Sequence, residues 1–135
     1  MNPLTLKSKY LAFVLDKSSR EKLLKAFPPL FDDVICHHVT LMFNNVDEDT
    51  VEQYIDVKKA KVVGYVSDKS LECLVVEING SSKRNDGGTF HITLSLVKGK
   101  RKPVDSNALL KKPQFNNYVA VPNIEISGSV KLEIK

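Results

Sequence analysis

The order of the predicted elements, β-α-β-α-β-β-β-α-β, indicates a single α+β or α/β domain. A length of 135 residues suits one domain. The composition, 42% hydrophobic and 27% charged, is that of an ordinary globular protein. No apolar run approaches the roughly 18 residues of a membrane-spanning helix, and the first residues do not resemble a secretory signal. We therefore predict one cytoplasmic domain over residues 1–135 that does not contact a membrane.

Local residue patterns predict each element. Short apolar or alternating runs predict strands at residues 10–15, 34–43, 61–66, 71–78 and 89–97, and extended structure over 118–121 and 124–134 closes the chain. A first helix begins at the capping-box spacing of Ser18 to Glu21 and ends before Pro28. Two short helices are predicted at residues 49–55 and 105–112, the second with Asp105 as its N-cap and Pro113 beyond its end.

The net charge of +4 conceals two local blocks of opposite sign. Residues 98–112 contain six Lys or Arg and one Asp, a net charge of +5, so the rest of the chain carries −1. Residues 47–56 contain five acids and no base. Solvated surface accounts for either block, but a basic block beside a reactive site would attract phosphate. The small net charge of the whole chain argues against a long nucleic acid as the partner.

The two cysteines do not form a disulfide framework. Cys36 and Cys73 both lie in apolar strand-like runs, which predicts reduced, buried thiols of a cytosolic protein. The cysteines and histidines lack the spacing of a zinc site, and no glycine-rich phosphate-binding motif is present. We predict no metal and no cofactor.

A short pattern occurs twice around two of the three histidines. It reads His38-Val39-Thr40-Leu41 in one strand and His91-Ile92-Thr93-Leu94 in another. Side chains alternate across a strand, so each motif places its His and its Thr on one face and its large apolar residues on the other. By the same alternation His37 falls on the opposite face from His38, where an edge or partly buried histidine is the better interpretation.

Two histidines on separate strands, if they face each other across a small gap, suit displacement at phosphorus. An imidazole titrates near neutral pH, so one ring can accept a proton while another donates one. One histidine would activate the attacking hydroxyl or water, and the other would protonate the leaving oxygen. A threonine hydroxyl two residues further along would donate to a non-bridging phosphate oxygen as charge develops there. The residues leave open which histidine is the base.

These two motifs resemble those of the 2H phosphoesterase superfamily, which is named for paired His-x-Thr/Ser motifs, and the resemblance covers most of the chain. It implies an α+β fold of two lobes, with two pseudo-symmetric antiparallel sheets, outer helices and a central cleft lined by both motifs. It also implies that His38 and His91 are the acid–base pair and that Thr40 and Thr93 hold the phosphate.

The run from Cys36 to Phe43 and the small size of the chain are most similar to the phage anti-CBASS phosphodiesterases. That resemblance implies metal-independent cleavage of the 3′–5′ bonds of cyclic di- and trinucleotide immune signals, by a monomer or small homo-oligomer in the host bacterial cytoplasm. The same residues also resemble the cyclic phosphodiesterase domain of fungal-type tRNA ligases, which implies a 2′,3′-cyclic phosphodiesterase acting on RNA ends. A third alternative is a sponge that binds cyclic nucleotides without cutting them.

Two further residues follow from the resemblance to the anti-CBASS enzymes. Tyr10 opens the first strand, where those relatives carry a tyrosine near the scissile phosphate. Glu125 lies at the start of the last predicted strand, roughly where they place a carboxylate that reads a base. The chain has no tryptophan, so another aromatic ring would have to stack on the base.

Overall fold

The computed structural model describes residues 9–43, 59–84, 87–111 and 119–134. Their architecture is α+β, which is one of the two predicted classes. Within those ranges the elements are β1 Lys9–Leu15, α1 Lys17–Ala26, β2 Asp33–Val34, β3 His38–Phe43, β4 Ala60–Ser67, β5 Leu71–Ile78, β6 His91–Leu96, α2 Asp105–Lys111, β7 Val119–Glu125 and β8 Gly128–Ile134. The predicted helix at 49–55, the acidic block at 47–56 and Pro113 lie outside the described residues.

The described strands form one connected antiparallel sheet in the order β7-β4-β5-β6-β3-β1-β8, with β2 paired to β6. The resemblance implied two separate sheets, and the single sheet differs from that expectation. Strands β5 and β6 pair along most of their length, as do β1 and β3. By contrast, β6 and β3 pair where Val39 lies opposite Ile92. At this short junction, a part of the sheet formed by β7, β4, β5, β6 and β2 meets a part formed by β3, β1 and β8.

The sheet curls so that its two edge strands approach each other. Strand β7 ends at Glu125 and β8 begins at Gly128, which limits their Cα atoms to about 11 Å apart. At this seam the backbone N–H of Asp16 donates to the carbonyl of Ser127 at 3.0 Å. A Cβ at Gly128 would lie 2.0 Å from the Val14 carbonyl oxygen, so a residue without a side chain is required for this approach.

Helix α1 packs on one face of the curled sheet. Its Leu23 is fully buried in a core cluster to which β1, β3, β4, β5 and β6 all contribute. The helix begins at Lys17 because Asp16 is its N-cap, accepting from the backbone N–H of Ser19 at 2.8 Å. The predicted capping box at Ser18 is therefore wrong: an earlier, stronger cap is available. The helix ends at Ala26, shortly before Pro28, as predicted.

The predicted strand at 34–43 is broken in the structure into β2 and β3. Between them, Cys36 adopts a left-handed backbone with φ of +42°, which an L-residue enters only at an energetic cost. The Arg20 Nε–H donates to the Cys36 carbonyl at 3.1 Å and stabilises this turn. As a result, Cys36 is buried in the core cluster with Val39 and Leu41 rather than sharing the face of His38. Both cysteines are free and buried, as predicted.

Helix α2 covers part of the opposite face. Leu109 and Leu110 pack in a second cluster with Val66, Leu71, Cys73, Val75 and Leu96. Asp105 is the first helical residue rather than the predicted N-cap, and its carboxylate accepts from the backbone N–H of Lys102 at 2.9 Å. Neither described helix has the length and apolar character needed to cross a bilayer.

Candidate functional site

An open cleft of about 410 Å³ lies on the face of β3 and β6 that carries both His-x-Thr motifs. Its walls come from β1, the segment before β3, the two motif strands and the segment leading into α2. The lining residues are Tyr10, Ile35, His38, Thr40, His91, Thr93, Pro103, Val104 and Asn107. Five of the six predicted site residues therefore lie together, in a cavity within the size range of small-molecule sites.

The β3–β6 junction brings the two motifs into opposition. Val39 lies opposite Ile92 in an antiparallel pair. The histidine and the threonine that flank each of these two residues all line the cleft. The register is irregular before His38, since the backbone N–H of Cys36 donates to the Thr93 carbonyl at 2.9 Å.

His91 is held as a neutral ring with one nitrogen left for the cleft. Its Nδ1–H donates to the Thr89 carbonyl at 2.8 Å, because a carbonyl oxygen can only accept. In the neutral ring Nε2 is then an unprotonated acceptor. Burial, the positive charge of Arg84 and the proximity of His38 lower the pKa of His91 to about 4, although the bond to Thr89 opposes this shift. At neutral pH the His91 ring is therefore uncharged, and its Nε2 can accept a proton.

The lowered pKa of His91 predicts a stability loss on acidification. The unfolded chain binds a proton near pH 6.5 and the folded chain near pH 4, so stability is full above pH 6.5 and falls as the pH drops towards 4. We expect the free energy of unfolding to fall by about 3 kcal/mol across this interval, measured by urea denaturation at each pH. The variant His91→Gln should lose this slope, whereas His37→Gln, which changes an exposed imidazole, should keep it. An unchanged slope in His91→Gln would contradict the assignment.

His38 has a different neighbour at its own Nδ1. The Nδ1 atoms of His37 and His38 lie 3.0 Å apart in a hydrogen bond, and either ring can be the donor. The Tyr10 ring packs against His38 with centroids 5.6 Å apart. His37 is exposed, as the edge interpretation predicted, but the left-handed turn at Cys36 interrupts the strand alternation and lets its ring reach His38.

The two threonines are buried to a similar degree but are engaged differently. The Thr93 hydroxyl donates to the Pro103 carbonyl at 3.2 Å and lies 2.9 Å from the Ser106 hydroxyl. Within the described part of the chain, no hydrogen bond to the Thr40 hydroxyl is present. Thr40 can therefore donate to a ligand directly, whereas Thr93 must first turn away from Pro103.

Sequence reasoning missed a buried arginine behind His91. Arg84 is only 6% exposed, and its Nη2 donates to the Asn107 Oδ1 at 2.9 Å. This bond orients the Asn107 amide, whose nitrogen contacts the Val104 carbonyl at 3.1 Å at the wall of the cleft. Arg84 lies in the polar stretch between the strands predicted at 71–78 and 89–97, where nothing in the local pattern distinguishes it from a solvated cation.

The basic block at 98–112 contributes to the site differently from the expectation. Arg101 pairs with Asp68 at 2.7 Å and with Asp105 at 3.3 Å, so its charge is used within the fold. Lys98, Lys100 and Lys102 are exposed on the segment that leads to the cleft wall at Pro103. Among the described residues, these three lysines are therefore the part of the basic block whose charge could attract a phosphate to the cleft.

Glu125 lies away from the cleft. It is the last residue of β7 and pairs with Lys61 of β4, beside a separate shallow pocket formed with Lys59 and Ile126. The structure thus gives no support to a base-reading role for this carboxylate in the cleft. The alignment by resemblance placed it at the start of a strand, and it instead ends the preceding one.

Among the described residues, no group of three or more His, Cys, Asp or Glu side chains is arranged to hold a metal ion. The described chemistry of the cleft is that of two imidazoles, two hydroxyls, one amide and one tyrosine. No protein-family model, curated protein or solved structure matches the chain.

Proposed function

We propose that the protein is a 2H-type phosphodiesterase that cleaves its substrate with His91 and His38 as base and acid and without a metal ion. The observation that carries the proposal is the orientation of the two imidazoles. Each ring has a protein partner at Nδ1, and both rings line the same cleft. A merely structural histidine has no need for this shared orientation.

The first step uses a neighbouring 2′-hydroxyl as the nucleophile. Nε2 of His91 takes the hydroxyl proton, the oxygen attacks phosphorus, and the P–O5′ bond breaks. His38 gives the Nε2 proton to the leaving 5′ oxygen, so the product has a 2′,3′-cyclic phosphate and a 5′-hydroxyl. If water then opens the cyclic phosphate, the histidines exchange roles and the enzyme returns to its starting protonation state.

Several donors surround the position where negative charge develops. The Thr40 hydroxyl lines the same cleft as His91 and can donate to a non-bridging oxygen. The Arg84 guanidinium is close enough to His91 to affect its titration, so its positive charge also favours a phosphate there. The Asn107 amide, oriented by Arg84, adds a polar group at the wall.

The proposal includes the two-lobed arrangement of the superfamily. The two parts of the sheet would be the lobes, the β3–β6 junction would be their shared axis, and the cleft would lie over it. The pairing of Val39 with Ile92, each flanked by a histidine and a threonine that line the cleft, supports this pseudo-symmetry.

The cleft suits a small nucleotide better than an extended strand. Tyr10 offers an aromatic face in a chain without tryptophan, and Ile35, Pro103 and Val104 offer apolar walls for a base. We infer that the substrate is a cyclic di- or trinucleotide signal, whose cleavage would allow a phage to evade defence in the bacterial cytoplasm.

Incubation with a panel of cyclic di- and trinucleotides, with EDTA present, tests the proposal. Mass spectrometry should detect linear products with a cyclic or opened phosphate end. If every cyclic nucleotide is recovered uncut but bound, the protein is a sponge instead and the proposed chemistry is wrong.

The exposed lysines beside Pro103 favour a second candidate, cleavage of 2′,3′-cyclic phosphate ends of RNA. The same catalytic groups would serve it. An RNA substrate should show a steep decrease in kcat/KM with salt, since several phosphate contacts release counterions. A higher kcat/KM for a cyclic-phosphate-ended RNA than for any cyclic dinucleotide would favour this candidate.

A further inference from the structure

The Thr93 hydroxyl belongs to a buried group of hydrogen bonds that links the second motif to α2. It donates to the Pro103 carbonyl at 3.2 Å and lies 2.9 Å from the Ser106 hydroxyl. Both hydroxyl-bearing residues are buried. A threonine hydroxyl has one hydrogen, and a carbonyl oxygen can only accept. The hydrogen of Thr93 therefore lies in the bond to Pro103, which makes Ser106 the donor to Thr93.

The Ser106 hydroxyl has no strong competing acceptor among the described residues. Cys73 pairs with Thr93 across β5 and β6, and its thiol interacts with the Ser106 side chain. Burial raises the pKa of this thiol to about 12, although Ser106 opposes the shift, so the thiol stays protonated at neutral pH. Sulfur in a thiol is a weak acceptor. Ser106 therefore keeps its hydrogen directed at Thr93.

The Pro103 carbonyl does not depend on Thr93 as its only donor. It also accepts from the backbone N–H of Ser106 at 3.1 Å. If the Thr93 hydroxyl turns away, the carbonyl keeps this partner, so the cost of leaving a buried acceptor without a donor does not arise. Thr93 and Pro103 both line the cleft, and a phosphate oxygen bound there can replace the carbonyl as the acceptor.

We propose that Ser106 is a positioning residue that keeps donating to Thr93, so that Thr93 turns its one hydrogen from the Pro103 carbonyl to a non-bridging phosphate oxygen when substrate binds. This inference rests on the proposed function, because it concerns a phosphate held in the same cleft. Ser106 itself is fully buried and does not line the cleft, so it acts through Thr93. Its donation polarises the Thr93 O–H bond, which strengthens the bond to phosphate.

The first motif supplies an internal comparison. Thr40 is buried to a similar degree as Thr93 and lines the same cleft. Within the part of the chain that the structure describes, however, Thr40 has no hydroxyl behind it in the position that Ser106 takes behind Thr93. An effect of Ser106 on catalysis should therefore depend on the Thr93 hydroxyl and be independent of the Thr40 hydroxyl.

Kinetic double-mutant cycles separate this role from a merely structural one. Ser106→Ala should lower kcat for a cyclic dinucleotide by about 5–10-fold and leave KM almost unchanged, since the bond to phosphate matters most as charge develops. In a Thr93→Val background, which lacks the hydroxyl at similar volume, Ser106→Ala should change kcat by less than about twofold. In a Thr40→Val background its full effect should remain. An equal loss in the Thr93→Val background would overturn the inference.

A second substitution distinguishes lost donation from lost volume. Ser106→Cys, kept reduced, fills the site of the hydroxyl with a weak donor. Its kcat should fall as far as that of Ser106→Ala, and urea denaturation should show that both variants are folded. Wild-type kcat in Ser106→Cys would overturn the inference, because donation would then not matter.

Titration with inorganic phosphate, followed by phosphorus NMR, gives a readout that needs no cleavage. Ser106→Ala should weaken phosphate binding by about threefold in the wild-type background and leave it unchanged in the Thr93→Val background. If the wild type cleaves nothing but this phosphate result occurs, the proposed function fails and the coupling of Ser106 to Thr93 stands. If the wild type binds no phosphate and Ser106→Ala leaves kcat unchanged, the inference is overturned.

Discussion

Replacing His91 by alanine is expected to reduce cleavage of a cyclic dinucleotide by about 10²–10⁴-fold, the range typical for loss of a general acid or base. In the proposed mechanism the neutral Nε2 of His91 is the base of the first step, and no other described side chain of the cleft has an acceptor held in the same way. His38→Ala should cause a loss of similar size because it removes the acid. The measurement is single-turnover cleavage with EDTA present.

The double variant His38→Ala/His91→Ala supplies a sharper check. Groups that act in one concerted proton transfer are not additive, so the double loss should be close to the larger single loss rather than to the product of the two. Lys25→Ala, an exposed change on α1, is the control and should retain full activity. Turnover within threefold of wild type in either single variant would rule out the paired-histidine mechanism.

The second large effect is expected on stability, from the buried carboxylate of Glu72. This residue is 1% exposed and accepts from three donors: the Tyr65 hydroxyl at 2.5 Å, the backbone N–H of Leu30 at 2.8 Å, and the Ser95 hydroxyl. Burial, and then the carboxylate, raise the pKa of Tyr65, so that hydroxyl stays protonated and donates. Glu72 thereby anchors the segment that precedes the first motif to β5 and β6.

Glu72→Ala should lower the free energy of unfolding by about 3–5 kcal/mol, because three buried donors lose their acceptor at once. Urea denaturation at pH 7 measures the loss. Glu77→Ala is the matched control on the same strand: its half-exposed pair with Lys61, at 3.7 Å, contributes little, and the change should stay within about 1 kcal/mol. A Glu72→Ala loss no larger than that of the control would show that the donors find other partners.

The side chains of the candidate site were predictable because strand alternation is a local property. Two residues of spacing decide that His38 and Thr40 share a face, and nothing distant can alter that within β3. The sequence could not show that Val39 lies opposite Ile92, since register across a sheet depends on all the strands between and around them. The motifs were thus visible in the chain, whereas their opposition is a tertiary result.

The features that sequence reasoning missed depend on contacts between distant residues. The left-handed turn at Cys36 is stabilised by Arg20, sixteen residues earlier, and no strand pattern records that contact. Arg84 becomes a buried charge because Asn107 packs over it. The wrong prediction of a cap at Ser18 has a different origin. Asp16 and Ser18 are both suitable N-cap residues, and in the structure the Asp16 carboxylate accepts from the backbone N–H of Ser19.

The curled sheet also determines when the chain can fold. Strands β7 and β8 follow each other directly in sequence but complete opposite edges, pairing with β4 and β1. Strand β1 therefore completes its pairing only when β8 is available, more than 100 residues later in the chain. Such distant pairing gives a high contact order and slow folding. During synthesis both of these edges stay open until β7 and β8 emerge, so the growing chain is most exposed to aggregation before these two strands are available.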